Sequence, residues 1–284
     1  MERSAPIRSI CRSIAVLQAI NRAGSLTLQE ISRNADIPYP TAFRIIQTLV
    51  HEGLVECEPH RKRYRATALT QSLSLGFRDS GKLVEHSHSP IVAMTKKIGW
   101  PMSLTTRAGQ TMMVRDSTHL LTSLTFNNYY PGYTLPILGC SSGHVYLAYC
   151  DEEERTSILN GIRTLGDQSP MLKLFESGSL RETIRENGYA TTDRNRNNAN
   201  PGKTSSIAVP VFENGHIAGA LTLIFFSSAM TPEIAVERYM ADLKETARKI
   251  GVAVSDPDFD PDAVSAVEES VDPELHPEAF AEAD

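Results

Sequence analysis

An α+β fold follows from three features of this 284-residue sequence. Three short helical patterns and a β-hairpin signal crowd into residues 7–66. Strand-like runs and amphipathic helical runs alternate over 83–252. Two apolar strands there, Ile207–Phe212 and Ile217–Phe226, are joined by Glu213-Asn214-Gly215, a hairpin turn signal. That combination predicts an antiparallel sheet with helices packed on it, preceded by a small helical unit.

The first helix is expected over Pro6–Ala23, with Ile10, Ile14, Leu17 and Ile20 at helical spacing and Gly24 ending it. A short helix follows over Thr27–Ala35, turning inward Leu28 and Ile31. Asp36-Ile37-Pro38 is a turn, because Pro38 lacks a donor and disfavours helix at the residue before it. The third helix starts near Pro40, a good first helical position, carries Ala42, Ile45, Ile46 and Leu49 inward, and ends at Gly53. Strands Leu54–Glu58 and Arg63–Ala66 flank a tip of Pro59-His60-Arg61-Lys62. Ala68–Arg78 reads as a linking helix.

Beyond it, Leu83–Ile98 reads as a helix, and Ser103–Arg107, Thr111–Asp116 and Leu121–Asn127 as strands. Ser142–Cys150 is a buried helix; Glu152–Leu159 and Ser179–Asn187 are amphipathic. Pro232–Ile250 is a last helix with Thr231 as its cap. The resulting division is 1–66, a linker over 67–82, a second domain over 83–252, and an acidic tail over 253–284 whose Asp/Glu/Pro/Ala composition predicts disorder.

The net charge of −6 is unevenly spread. Residues 1–80 hold eleven Lys/Arg against seven Asp/Glu, residues 81–252 seventeen against sixteen, and residues 253–284 none against eleven. The N-terminal part is therefore basic, as a polyanion binder should be. No apolar run reaches membrane-spanning length, and the N-terminus lacks the apolar core of a secretion signal. A cytoplasmic location is expected, with Cys11, Cys57, Cys140 and Cys150 as reduced packing thiols.

A helix that reads DNA must present polar side chains to base edges while its apolar face holds it to a scaffold. In the third helix Tyr39, Pro40, Thr41, Phe43, Arg44 and Gln47 lie off the apolar stripe. Arg44 suits bidentate pairing with guanine, Gln47 adenine or a phosphate, and Thr41 a phosphate or a thymine methyl. The basic tip continued by Arg61, Lys62 and Arg63 suits a wing that reaches phosphate and positions without specifying. Residues 7–66 thus predict a winged helix-turn-helix for double-stranded DNA; a generic three-helix unit with Arg44 on a solvated face is the plainer alternative.

The stretch from Ser25 to Gly76 resembles the winged helix of the IclR family of bacterial regulators, most of all at Leu28, Glu30, Ile31, Pro38, Thr41, Arg44, Gln47-Thr48-Leu49, Gly53 and Tyr64. The similarity continues through LPILGCSSGHVYLAYC, RENGYATTD and SSIAVPVFENGHIAGALTL. Pro40 departs from the family, which usually has a small hydroxyl residue there. The resemblance implies a GAF-like second domain that binds a small carboxylic acid effector. It also implies assembly into a homodimer or homotetramer, an inverted-repeat operator, and RNA polymerase as a partner.

By that resemblance Ser141, Ser142, Ser206 and Thr222 match effector-touching positions, and Asp193 lies where the family often places a polar contact. Thr105, Leu124 and Phe126 complete the expected effector set. Ser141, Ser142 and Gly143 open a buried helix whose free N–H groups and dipole favour a carboxylate. Ile224 replaces a hydroxyl residue and Phe126 adds an aromatic wall, so the pocket is more apolar than one for a two- or three-carbon acid. MMVRDSTH, LPILGCSSGHVYLAYC, SIAVPV and FFSSAMT are similar to the branch that activates hydroxyphenylpropionate breakdown genes. That similarity implies an aromatic acid and activation.

Two other classes stay open. Cys140, His144 and Cys150 invite a thiol-base enzyme, but they do not share one helix face and lack an acidic orienter. His86 and His88 are too few for a metal site, and no nucleotide-cofactor motif is present, so neither metal, cofactor nor catalysis is expected. The alternative to a sensor is a ligand-independent dimeric repressor whose second domain only oligomerises.

Overall fold

The computed structural model describes residues 7–74, 81–125, 129–166, 168–198 and 200–256. It divides into two compact units, Met1–Ser80 and Gly81–Asp284. The first contains helices α1 (Arg8–Ala23), α2 (Leu28–Asn34) and α3 (Tyr39–His51). Its strands are β1 (Leu26–Thr27), β2 (Val55–Cys57) and β3 (Arg63–Ala66), paired antiparallel in the order β1-β3-β2.

The core of this unit joins Val16, Ala19 and Ile20 of α1 to Ile31 of α2 and to Ala42, Ile45, Ile46 and Leu49 of α3. Removing each large aliphatic side chain here from water contributes about 1.5–3 kcal/mol. The buried stripe of α1 differs from the expected one. Ile20 is buried, but Ile10 and Ile14 are about half exposed, and with Ile7 they form an uncovered apolar ridge. The helix is apolar on two sides, and periodicity alone did not say which side faces the core.

Ala68–Ser74 is a 3-10 helix rather than the expected α-helix; 75–78 lie outside the described residues. Just before it, the Thr67 hydroxyl donates to the Gly53 carbonyl (2.5 Å) and accepts from the Leu69 N–H, which ties the start of this segment to the end of α3.

The second unit opens with α4 (Lys82–Ile98), β4 (Met102–Ala108), β5 (Thr111–Ser117) and β6 (Thr134–Pro136). Helices α5 (Ser141–Tyr149), α6 (Glu152–Thr164), α7 (Pro170–Glu176) and α8 (Ser179–Asn187) follow. The chain returns through β7 (Ala190–Thr192), β8 (Thr204–Glu213), β9 (His216–Phe226) and α9 (Pro232–Ser255). The strands form one antiparallel sheet in the order β6-β5-β4-β9-β8-β7. Asn214 and Gly215 both take positive φ at the β8–β9 turn, the geometry that an Asn-Gly hairpin supplies.

Side-chain alternation separates the two faces of the sheet. Ile207, Val209, Val211, Leu221, Leu223 and Phe225 pack with Met102 and Leu104 against α4 and α9. The opposite face lies beneath α5–α8 and carries hydroxyl residues among its apolar ones.

Several elements of this unit differ from expectation. Leu121–Asn127 is not a strand: His119–Leu121 is a 3-10 turn, residues 122–125 carry no strand, and 126–127 lie outside the described residues. The edge strand is Thr134–Pro136 instead, paired to Thr111–Met113. Thr231 occupies the N-cap position of the last helix, as expected, but its side chain makes no cap bond. Helix α9 continues to Ser255, which makes 253–255 helical rather than tail.

The entry to α2 is fixed by a capping box. The Thr27 hydroxyl accepts the Glu30 N–H, while the Glu30 carboxylate accepts the Thr27 N–H at 2.8 Å. Donation to the carboxylate by the Thr27 N–H and, at 3.0 Å, by the Thr27 hydroxyl holds the Glu30 carboxyl below the usual carboxylate range, with Arg63 adding to the effect. A depressed folded-state value means that the contribution is complete above the ordinary range and is lost as pH falls through the depressed value. Thermal unfolding followed from neutral to acid pH should therefore fall less steeply for Glu30→Gln than for the parent chain. An identical slope would remove Glu30 from the acid response.

Candidate nucleic-acid interface and ligand cavity

Helix α3 buries Ala42, Ile45, Ile46 and Leu49 and leaves Tyr39, Pro40, Phe43, Arg44 and Gln47 exposed, with Thr41 half-buried. Pro40 occupies the first turn, where its missing N–H costs nothing. Five of the expected contacts thus share the outward face, and Thr41 sits at its edge.

At the hairpin, Glu58 N–H donates to the Arg63 carbonyl (2.7 Å) and Lys62 N–H to the Glu58 carbonyl (3.2 Å). Lys62 adopts φ +48°, which makes the tip tight. Arg61 and Lys62 are exposed there. Arg63 is not at the tip. Its guanidinium donates to the Ser25 carbonyl (2.7 Å) and hydroxyl (3.2 Å), and pairs with Glu30 at 3.2 Å. Arg63 therefore tethers the wing to the segment before α2, and the cations free to meet a phosphate from the expected trio are Arg61 and Lys62.

In the second unit, residues of β4, β8 and β9 on the α5 side enclose a small cavity. The walls are Ser103, Thr105, Thr204, Ser206, Thr222 and Ile224 from the sheet, Cys140, Ser141 and Ser142 from the start of α5, and Tyr129, Leu135 and Asn195 from loops and the edge strand. The strand register explains the grouping: Ser103 and Ala208 both oppose Thr222, and Ser206 opposes Ile224. Its free volume is about 20 Å³, room for about one water.

No charged side chain lines this cavity. The Ser141 and Ser206 hydroxyls bond each other at 2.8 Å, and Thr105 donates to the Ala220 carbonyl at 3.3 Å. Asn198 donates to both the Tyr129 hydroxyl (2.8 Å) and Thr204 (2.7 Å). Burial pushes the Tyr129 hydroxyl and the Cys140 thiol upward, so both keep their protons. The Thr222 hydroxyl is buried without a protein partner. Every residue of α5 from Ser141 to Ala148 is buried, and a methyl at Gly143 would overlap the Ile137 carbonyl, so glycine alone fits there.

The structure gathers Thr105, Ser141, Ser142, Ser206 and Thr222 as expected. It does not bring Asp193 or Leu124 there. Asp193 is exposed and accepts from Ser205, whose side chain alternates to the far side of β8. Leu124 is exposed, next to Gly99. Phe126 lies outside the described residues. Asn195, Tyr129 and Thr204 were missed; the signal for Thr204 was its even spacing from Ser206, while Asn195 and Tyr129 come from loops that carry no periodicity.

The cysteine–histidine group has a packing role. Burial raises the Cys150 thiol to about 11 and keeps His144 neutral, with Nε2 bonded to the Leu138 carbonyl at 2.9 Å. His88 pairs with Asp116 at 2.8 Å, and among the described residues no group of three or more His, Cys, Asp or Glu is placed to hold a metal ion. Among those residues, no helix is long and apolar enough to cross a membrane.

Residues 9–59 match the IclR helix-turn-helix domain, and residues 78–252 match the bacterial transcriptional regulator IclR C-terminal domain. The chain belongs to the IclR family. It is 25% identical over 267 residues to the HTH-type transcriptional regulator XynR of Escherichia coli K12, covering 88% of this chain and 96% of that protein. It is 22% identical over 262 residues to KdgR of the same organism, covering 89% and 95%. Among solved structures, the IclR regulator of Alicyclobacillus acidocaldarius superposes with a TM-score of 0.60 at 22% identity, covering 89% of this chain and 100% of that one. An IclR homolog from Microbacterium hydrocarbonoxydans, complexed with 4-hydroxybenzoate, gives 0.60 at 20%, covering 87% and 98%. This IclR chain is thus a DNA-binding transcription regulator; the matched family and relatives are regulators, not enzymes.

The cavity of this IclR regulator leads to one test of its own. A buried hydroxyl without a partner costs about 1–3 kcal/mol. Thr222→Val keeps the shape and removes that hydroxyl, so the ligand-free chain should melt at the same temperature or higher. A clear loss of ligand-free stability would mean that Thr222 already has a partner.

Proposed function

We propose that this regulator controls a catabolic operon in the cytoplasm in response to an aromatic carboxylic acid, and that it acts as an activator. The observation that carries the effector reading is the unpartnered, buried Thr222 hydroxyl facing the first turn of α5 across a cavity without charged walls. The first-turn N–H groups of a buried helix favour an anion. Hydroxyls of Thr105, Ser141, Ser142 and Ser206 surround that point, and Ile224 and Leu135 supply apolar wall. The related homolog bound to 4-hydroxybenzoate supports the aromatic class. The present free volume of about 20 Å³ admits only about a water. An aromatic acid therefore selects a conformation in which these walls have separated, and it acts through that difference in affinity.

On this reading residues 1–66 are the DNA-binding domain, 67–82 the linker, 83–255 the effector domain with α9 as its last element, and 256–284 the acidic tail. Two winged domains pair through the uncovered Ile7, Ile10 and Ile14 ridge of α1 and read half-sites of an inverted repeat, as a homodimer or a homotetramer. Activation would proceed by contact with RNA polymerase. Tyr39, Pro40, Thr41, Phe43, Arg44 and Gln47 face the groove, and Arg61 and Lys62 meet phosphate.

Binding to promoter fragments of neighbouring catabolic genes tests the scheme. Arg44→Ala should cost about 1–3 kcal/mol of specific binding, while Lys62→Ala should weaken all sequences alike and flatten the salt dependence. Aromatic acids should change operator affinity or the footprint. Unaltered binding by Arg44→Ala removes it from the interface, and indifference to every aromatic, sugar and keto acid favours a ligand-independent repressor.

A further inference from the structure

The DNA-facing side of α3 is not uniformly polar. Tyr39 is 54% exposed and Phe43 is 41% exposed. They stand four residues apart, so both rings lie on one face, one turn apart. Arg44 and Gln47 adjoin them on the exposed surface, while Ala42, Ile45, Ile46 and Leu49 occupy the buried side. Two large apolar surfaces thus sit in water, flanked by Arg44 on the helix and in the same unit as the cationic wing tip of Arg61 and Lys62.

In the major groove, donors and acceptors on base edges meet polar side chains, and the apolar group on offer is the thymine C5 methyl. Resting on the reading that α3 enters that groove, we propose that Tyr39 and Phe43 form a thymine-methyl reader, so that each operator half-site carries thymines under the two rings beside the base that Arg44 contacts. The rings then specify sequence by burying methyl groups, while Arg44 supplies the hydrogen bonds. An exposed aromatic pair gains apolar contact where thymine stands and gains none over cytosine, which lacks the methyl. The cationic surroundings identify the occupant as nucleic acid rather than an apolar segment of protein.

The test uses full-length protein and a duplex that it selects from a random library. Each thymine is replaced singly by deoxyuridine, which removes the methyl and leaves the hydrogen-bonding pattern. One or two positions in each half-site should lose affinity by about fourfold, the value of one buried carbon group. Phe43→Ala and Tyr39→Ala should each bind the thymine duplex more weakly and lose the uracil penalty at the position under the missing ring. Phe43→Leu should keep most of it, and circular dichroism should show all variants folded.

A flat uracil scan with Arg44→Ala still impaired overturns the proposal and leaves the α3 reading standing. A penalty that persists unchanged in both alanine variants assigns it to duplex shape and also overturns the proposal. So does a Phe43→Ala that alters the oligomeric state and not the uracil penalty, since the face would then belong to a protein contact. If no duplex is selected, or Arg44→Ala binds like the parent, the underlying reading of α3 falls with it.

Discussion

Helix α5 has no exposed face through Ala148, and the second unit is organised around that burial. Covering a helix completely requires contacts all round it: the sheet on one side, and α6, α7 and α8 in the surrounding core. Close approach of its first turn to the Ile137 carbonyl requires Gly143. The same approach traps Ser141 against Ser206 and closes the hydroxyl face of β4, β8 and β9. Polar groups so enclosed must bond one another or a guest. Thr105, Tyr129, Ser141, Ser142, Thr204 and Ser206 all bond protein atoms, whereas the Thr222 hydroxyl is buried with none.

Neutral walls set the chemistry that the cavity can offer. A carboxylate entering it would meet dipoles rather than an arginine, so recognition would depend on aligned N–H and O–H groups in a low-dielectric space. Such groups are strong only when water is excluded, a condition that the tight closure of the cavity meets. The first unit works by the opposite rule. The outward side chains of α3 and the hairpin tip are exposed to water, and its shape is held by the compact core beneath α3.

Much of this was legible from the sequence. The inward stripe of α3 followed from the spacing of Ala42, Ile45, Ile46 and Leu49, and the Asn214-Gly215 turn from its two residues, because each is a local constraint. Long-range choices were not legible. Arg63 is one of four cations within five residues, and only its meeting with Ser25 and Glu30 distinguishes it from Arg61 and Lys62. The run after His119 is rich in β-branched and apolar residues, yet the edge of β5 is taken by Thr134–Pro136, a pairing set by register rather than propensity. In the loop before β8, alternation could not choose between Asp193 and Asn195. The Ser205 hydroxyl holds the first on the surface, while the Thr204 carbonyl accepts the N–H of the second.

The tether from Arg63 to Ser25 and Glu30 bears on the cost of recognition. A wing that swung freely would surrender its conformational freedom on reaching a phosphate, and that loss would subtract from affinity. Here the guanidinium locks the hairpin to the start of α2 before any partner is present. The same Glu30 caps α2, so the orientation of the hairpin and the start of the helix that precedes α3 are set at one carboxylate. The hairpin and the helix pair α2–α3 are in this way given a common rigid reference, so that their spacing is set within the unit itself.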